Sequence, residues 1–272
     1  MPEARVRRRR LHVVLLAAAL ACAAPVFAAS VQLEELTWTE LRDRIAGGAT
    51  TVLLPIGGTE QNGPHMTLGK HNVRVKLLAA RIAERLGNAV VAPVIAYVPE
   101  GAIEPPTHHM RYSGTISVPE PVFEATLEAA ARSLRRHGLR DVVLLGDHGG
   151  YRASLDRVAA KLNREWGAAA RVHAVPEYYR AAQEDFANML AAKGFARDEI
   201  GPHAGLADTA LTLALDPAQV RMEVAAARPR GVVPDGVSGD PRRASAELGR
   251  IGVDHVVAMT VAAIRERVAK RP

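Results

Sequence analysis

The chain has 272 residues, of which 48% are hydrophobic, 24% charged and 4% aromatic, a balance that suits a packed core and excludes a disordered or fibrous chain. Its net charge of +6 is concentrated at the start, where Arg5, Arg7, Arg8, Arg9 and Arg10 face only Glu3. From residue 29 onward, 30 basic residues stand against 28 acidic ones, which leaves no electrostatic footprint for nucleic acid.

The arginine run is followed by an apolar stretch from Leu11 to Phe27 and then by small Ala28 and Ala29. This is the pattern of a secretory signal, so residues 1–28 are expected to be removed and the mature chain to be periplasmic or secreted. The stretch is shorter than the roughly 20 residues a bilayer span needs, and no later run is longer. No membrane span is expected in the mature chain. Cys22 is placed to accept a lipid, but Ala19 stands where a leucine is usual, which argues against an anchor. Cys22 is also the only cysteine, so disulfides, thiolate metal sites and cysteine nucleophiles are excluded from the mature chain.

The mature part alternates between apolar runs and helical patterns. Residues 51–56 read as a buried strand ending at Gly57-Gly58, and residues 72–86 as a helix stopped by Gly87. Residues 89–98 read as a strand, 120–137 as a helix, 141–145 as a buried strand and 153–166 as a helix. A strand at 171–175 and helices at 180–193, 208–215 and 244–270 complete the series. Strands that are apolar throughout and separated by helices predict a mostly parallel sheet covered on both faces, a three-layer α/β/α sandwich. No linker or repeat divides residues 29–272, which are expected to form one domain.

Ligands in such sheets collect beyond the carboxyl ends of the strands. Three loops there hold four of the ten histidines: Glu60, His65 and His71 after the first strand, Asp147-His148-Gly149-Gly150 after the third, and His203 with Asp208 at the start of a helix. His108-His109 forms a fourth group. Carboxylates and imidazoles gathered from separate strand ends suit a divalent ion of Zn, Mn or Fe type. A hydrogen-bonded set of polar loops reads equally well from composition, and Asp208 beside Thr209 also reads as a helix cap. No G-x-S-x-G elbow, P-loop or G-x-G-x-x-G after a strand is found, which argues against serine hydrolase and nucleotide chemistry. His137, His173 and His255 fall within regular elements and read as structural.

Pro55-Ile56-Gly57-Gly58-Thr59-Glu60-Gln61-Asn62-Gly63-Pro64-His65 resembles the signature of the creatininase (creatinine amidohydrolase) family. So do Gly146-Asp147-His148-Gly149-Gly150, Ser113-Gly114-Thr115-Ile116-Ser117 after His108-His109, and His203-Ala204-Gly205-Leu206-Ala207-Asp208-Thr209. Gly239-Asp240-Pro241 and Ala246-Glu247-Leu248-Gly249 match the family's end. The resemblance implies the sandwich fold, metal-assisted hydrolysis of a carbon–nitrogen bond in an amide, cyclic amide or formamide, and a homo-oligomer.

Departures from the family pattern alter the expected ligand set. Glu60 and His148 match family ligands, but Asn62 replaces a histidine, His71 replaces a bridging aspartate, and Gly150 stands where some branches carry a carboxylate. An imidazole binds one metal through one nitrogen, so a single divalent ion per chain is expected, zinc before Mn or Fe, held by Glu60, His71, His148 and Asp208. His203 matches the position that transfers a proton to the leaving nitrogen. Asn62, His65, His109, Asp147, Gly149 and Gly150 are expected to support the ligands or the small-molecule amide. Creatinine itself is not the expected substrate, because the family's pocket lid uses tryptophans and the mature chain has only Trp38 and Trp166. The rival reading is an exported, non-catalytic binding protein that retains the fold.

Overall fold

The computed structural model describes residues 30–229, 231 and 234–270; the expected signal at 1–28 lies outside them. Four strands, β1 (Thr51–Ile56), β2 (Ala89–Val91), β3 (Asp141–Gly146) and β4 (Arg171–Ala174), form one parallel sheet in the order β2-β1-β3-β4. β1 and β3 pair along their full length, from Thr51 opposite Asp141 to Ile56 opposite Gly146. Every residue of both is buried, which is why they read as continuous apolar runs.

Helices cover both faces. α1 (Trp38–Ala46) begins at a capping box between Thr37 and Glu40, and α2 (Lys70–Leu86) connects β1 to β2 and ends at Gly87 in the left-handed region. α3 (Glu120–Arg136) leads into β3, and α4 (Arg152–Trp166) connects β3 to β4. α5 (Pro176–Arg180), a π-helical turn at Ala181–Asp185, α6 (Phe186–Ala192), α7 (Arg197–Ile200), α8 (Leu206–Leu215), α9 (Met222–Ala227) and α10 (Ala246–Ala269) complete the described chain.

Side chains alternate along each strand, so the core divides in two. Leu53, Val143 and Leu145 pack with Leu78 and Ile82 of α2, Leu211 of α8 and Val257 of α10. Val52, Leu54, Val142 and Leu144 pack with Phe123 and Leu127 of α3 and with Leu155 and Leu162 of α4. The result is the expected α/β/α layering.

Two expected elements are shorter or interrupted. The strand expected over 89–98 pairs only to Val91, because Pro93 has no N–H for a ladder. The chain continues extended through isolated bridges, Ile56 to Ile95 and Val98 to Ser117. The helix expected over 180–193 is two α-helical pieces joined by the π turn. The first of these differences places a carboxylate in the site.

Candidate metal centre

The carboxyl ends of β1 and β3 open side by side. Gly57 lets the start of α2 pack directly on the end of β1: a Cβ there would lie 2.1 Å from Asn72 Oδ1. Asn72 Oδ1 instead accepts a hydrogen bond from Gly58 N at 2.9 Å. This contact sets His71 beside Glu60, with Nε2 2.8 Å from Oε1. His148 comes from the loop after β3, its Nε2 3.6 Å from Glu60 Oε2. His109, on the 3-10 turn His108–Arg111, holds Nε2 3.1 Å from the same oxygen.

The fourth member is Glu100. The extended segment past Val98 brings it in, and its backbone N donates to Ser117 Oγ at 3.0 Å. Gly58 has φ +155, and a Cβ on it would lie 2.5 Å from Glu100 Oε1, so only glycine leaves room for this carboxylate. Glu60, Glu100, His109 and His148 each bring one donor atom within 4.8 Å of the others.

These groups are buried and incompletely satisfied. Glu60 Oε2 and both oxygens of Glu100 accept no hydrogen bond among the described residues. Buried carboxylate oxygens without partners cost free energy that a bound cation recovers. Two carboxylates with two imidazoles are also a ligand set that zinc and manganese accept, so the residues fit a divalent ion.

Burial works to raise the pKa of Glu60, but the hydrogen bond from His71 and the positive charges of His71 and Lys70 outweigh it and hold the carboxyl well below its usual range. Burial, then the negative charge of Glu60, pushes Glu100 up to about 9. Burial pulls His148 down to about 4, and burial with Lys70 does the same to His203. Both imidazoles are therefore neutral at neutral pH, as a ligand or a proton acceptor must be.

His71 and Asp208, expected as ligands, lie outside the four-residue cluster. His71 is held between two carboxylates, with Nδ1 2.6 Å from Asp147 Oδ2 and Nε2 on Glu60. Asp208 accepts from Lys70 Nζ at 2.8 Å, Arg74 Nη1 at 2.7 Å and Ala204 N at 2.9 Å. Burial opposes ionisation of Asp208, but Lys70 and Arg74 overcome it and hold the carboxyl well below its ordinary value. The network continues to Asp147, which also accepts from Arg74 Nε and Tyr178 Oη.

The remaining expected residues have definite places. Asn62 donates to the carbonyl oxygens of Glu60 and Thr67 and shapes the loop. His65 Nε2 lies 3.0 Å from Thr209 Oγ1 and ties that loop to α8. His203 Nε2 lies 3.1 Å from Gln61 O and 3.0 Å from Gln61 Nε2, and its Nδ1 is 3.9 Å from Glu60 Oε1. Gly149 packs under Tyr179, and Gly150 borders His148 and Pro99. Glu100 is the site residue that sequence reasoning missed. Its only signal is an isolated acid between Pro99 and Gly101 at the end of an apolar run.

Residues 34–264 match the family model described as creatinine amidohydrolase. The chain belongs to the creatininase family. It is 34% identical over 119 residues to the creatinine amidohydrolase of Pseudomonas putida, covering 44% of this chain and 45% of that protein; the match spans about half of that relative's length. It is 29% identical over 226 residues to the mycofactocin precursor peptide peptidase of Mycobacterium tuberculosis (strain ATCC 25618 / H37Rv), covering 74% of this chain and 78% of that one. Solved creatininases, including a mutant of Zn–Zn type and a Mn form, superpose with TM-score 0.68 at 28% identity over 88% of this chain and 98% of theirs. These relatives are hydrolases, and the creatininase structures are of zinc and manganese types.

Proposed function

We propose that this creatininase-family chain hydrolyses the carbon–nitrogen bond of an amide with one divalent ion, zinc or manganese, held among Glu60, Glu100, His109 and His148. The observation that carries this reading is the pair of buried carboxylates whose three free oxygens face each other and two imidazoles.

When bound, the ion polarises the amide carbonyl and lowers the pKa of water. Glu60 is kept ionised and oriented by His71, which Asp147 and Arg74 hold in turn. His203 presents Nδ1 to the same space, accepts a proton there and delivers it to the departing nitrogen. Gln61 fixes the His203 ring through its backbone carbonyl, and its side-chain Nε2 lies 3.0 Å from His109 Nδ1. Creatinine itself is not the proposed substrate. Trp38 is 75% exposed on α1 and Trp166 is buried at the end of α4, so neither lines the cleft, whose aromatic walls are Tyr112 and Tyr179. We further propose that residues 1–28 direct export and that residues 29–272 act as one domain.

Metal analysis and an amide panel test this reading. The purified protein should take up one zinc or manganese ion per chain and release the amine from a linear amide, and chelation should stop turnover. Protein that binds no ion, or binds two tightly, would contradict it. His203→Ala should lower kcat by about a hundredfold or more while metal content stays at one ion; loss of the ion would make His203 a ligand instead.

A further inference from the structure

Two cavities border the ion cluster. One, of about 480 Å³, reaches His71, His109, His148 and His203 and is walled by hydrogen-bonding groups of Gln61, Tyr112, Tyr179, Gln183 and Ser238. The other, of about 550 Å³, contains Glu100 and is lined by Pro99, Val118 and Pro119 together with His108 and Glu120. His109 and His148 line both. Each cavity alone is large enough for a small-molecule ligand. Gly150 lines the second cavity beside His148, where a Cβ would lie 2.9 Å from His148 Cε1.

We infer that the substrate is an elongated N-acyl compound lying across the cluster, with its apolar acyl arm in the Val118 cavity and its polar amine portion in the Tyr179 cavity. This rests on the hydrolase reading above. His203 opens only into the first cavity, so the nitrogen that receives its proton belongs there, and the acyl carbon's substituent is directed to the other cavity. In the reaction the acyl C–N bond breaks, the hydroxyl of water joins the carbonyl carbon, and the proton goes to nitrogen. The products are a carboxylic acid and a polar amine. A compact ring would fill only one of the two spaces.

The test uses hydroxamates of increasing acyl length as uncleaved probes of the zinc-loaded protein. Calorimetry should show hexanohydroxamate binding about tenfold or more tighter than acetohydroxamate, since each buried methylene adds affinity. Val118→Phe, which fills the second cavity, should abolish that gain and leave acetohydroxamate binding unchanged; Val118→Ala should preserve the gain. A crystal structure of the hexanoyl complex should place the chain against Val118 and Pro119. Equal binding of the short and long probes, or a chain found beside Tyr179, would overturn this inference alone. Protein that takes up no zinc would overturn it together with the hydrolase reading. N-hexanoyl amines should likewise be hydrolysed faster than a five-membered lactam.

Discussion

Asp208 and Glu100 are both buried acids, yet their surroundings give them opposite tasks. Asp208 is met by Lys70 and Arg74, whereas Glu100 has oxygens without partners and an elevated pKa. Asp208→Asn removes the carboxylate that pairs with buried Lys70 and one of the two that pair with buried Arg74, which should destabilise the fold by about 3–5 kcal/mol in urea titrations. The sign of its pH dependence follows from its low folded pKa. Its contribution is complete above the unfolded value near 4 and is lost as pH falls through the lower folded value. Wild type should therefore lose stability below about pH 4, and the variant should lack that component. Glu100→Gln should do the converse: folding nearly unchanged, zinc affinity reduced by at least about tenfold in competition with a chelating dye. If Asp208→Asn proved the more damaging to zinc binding, Asp208 would be the ligand and the four-residue cluster would be misassigned. The sequence shows why the two are easily exchanged. Glu60 and His148 stand in motifs with family counterparts, and Asp208 follows a histidine in another. The Lys70 and Arg74 side chains that claim Asp208 precede it by more than 130 positions, and no spacing rule connects them.

At the scale of elements, periodicity and breakers reveal most of the architecture, since α2, α3, α4 and α10 start and stop within two residues of their apolar patterns. What they do not reveal is pairing. The run from Ala89 to Val98 is apolar throughout, but only three residues join the sheet, and the departure after Pro93 carries Glu100 over the end of β1. Helix packing is equally hidden in composition. A Cβ on Gly249 of α10 would lie 1.8 Å from Ala210 O on α8, and one on Gly252 2.8 Å from Leu211 Cδ2, so two glycines allow these helices to meet nearly backbone to backbone. Gly249→Ala forces α8 away from α10, and overpacking of this kind costs about 1–3 kcal/mol. Because α8 also carries Asp208 and Thr209, the shift should loosen the contacts to Lys70 and His65. The expected outcome is a lower melting temperature accompanied by faster amide exchange in α8. A variant as stable as wild type would mean that the helices separate without cost.

For the molecule as a whole, the proposed ion belongs to the fold as well as to the chemistry. Its proposed ligands hang from three different places: the loop after β1, the extended segment after β2 with its neighbouring 3-10 turn, and the loop after β3. No such arrangement exists in the unfolded chain, so binding free energy is added to folding free energy. A ligand present at a hundredfold excess over its dissociation constant stabilises the native state by about 2.7 kcal/mol. In a domain of this size each kcal/mol raises the melting temperature by roughly 2–4 °C. Zinc added to chelator-treated residues 29–272 should therefore raise the melting temperature by about 5–10 °C, with the midpoint depending on zinc concentration. Magnesium at the same concentration should give little shift, because it demands octahedral oxygen coordination and keeps its waters, whereas half of this donor set is imidazole. Glu100→Gln should reduce the zinc response, and His203→Ala should retain it. A zinc response that survives in Glu100→Gln would locate the stabilising ion elsewhere and detach the thermal effect from the strand-end cluster.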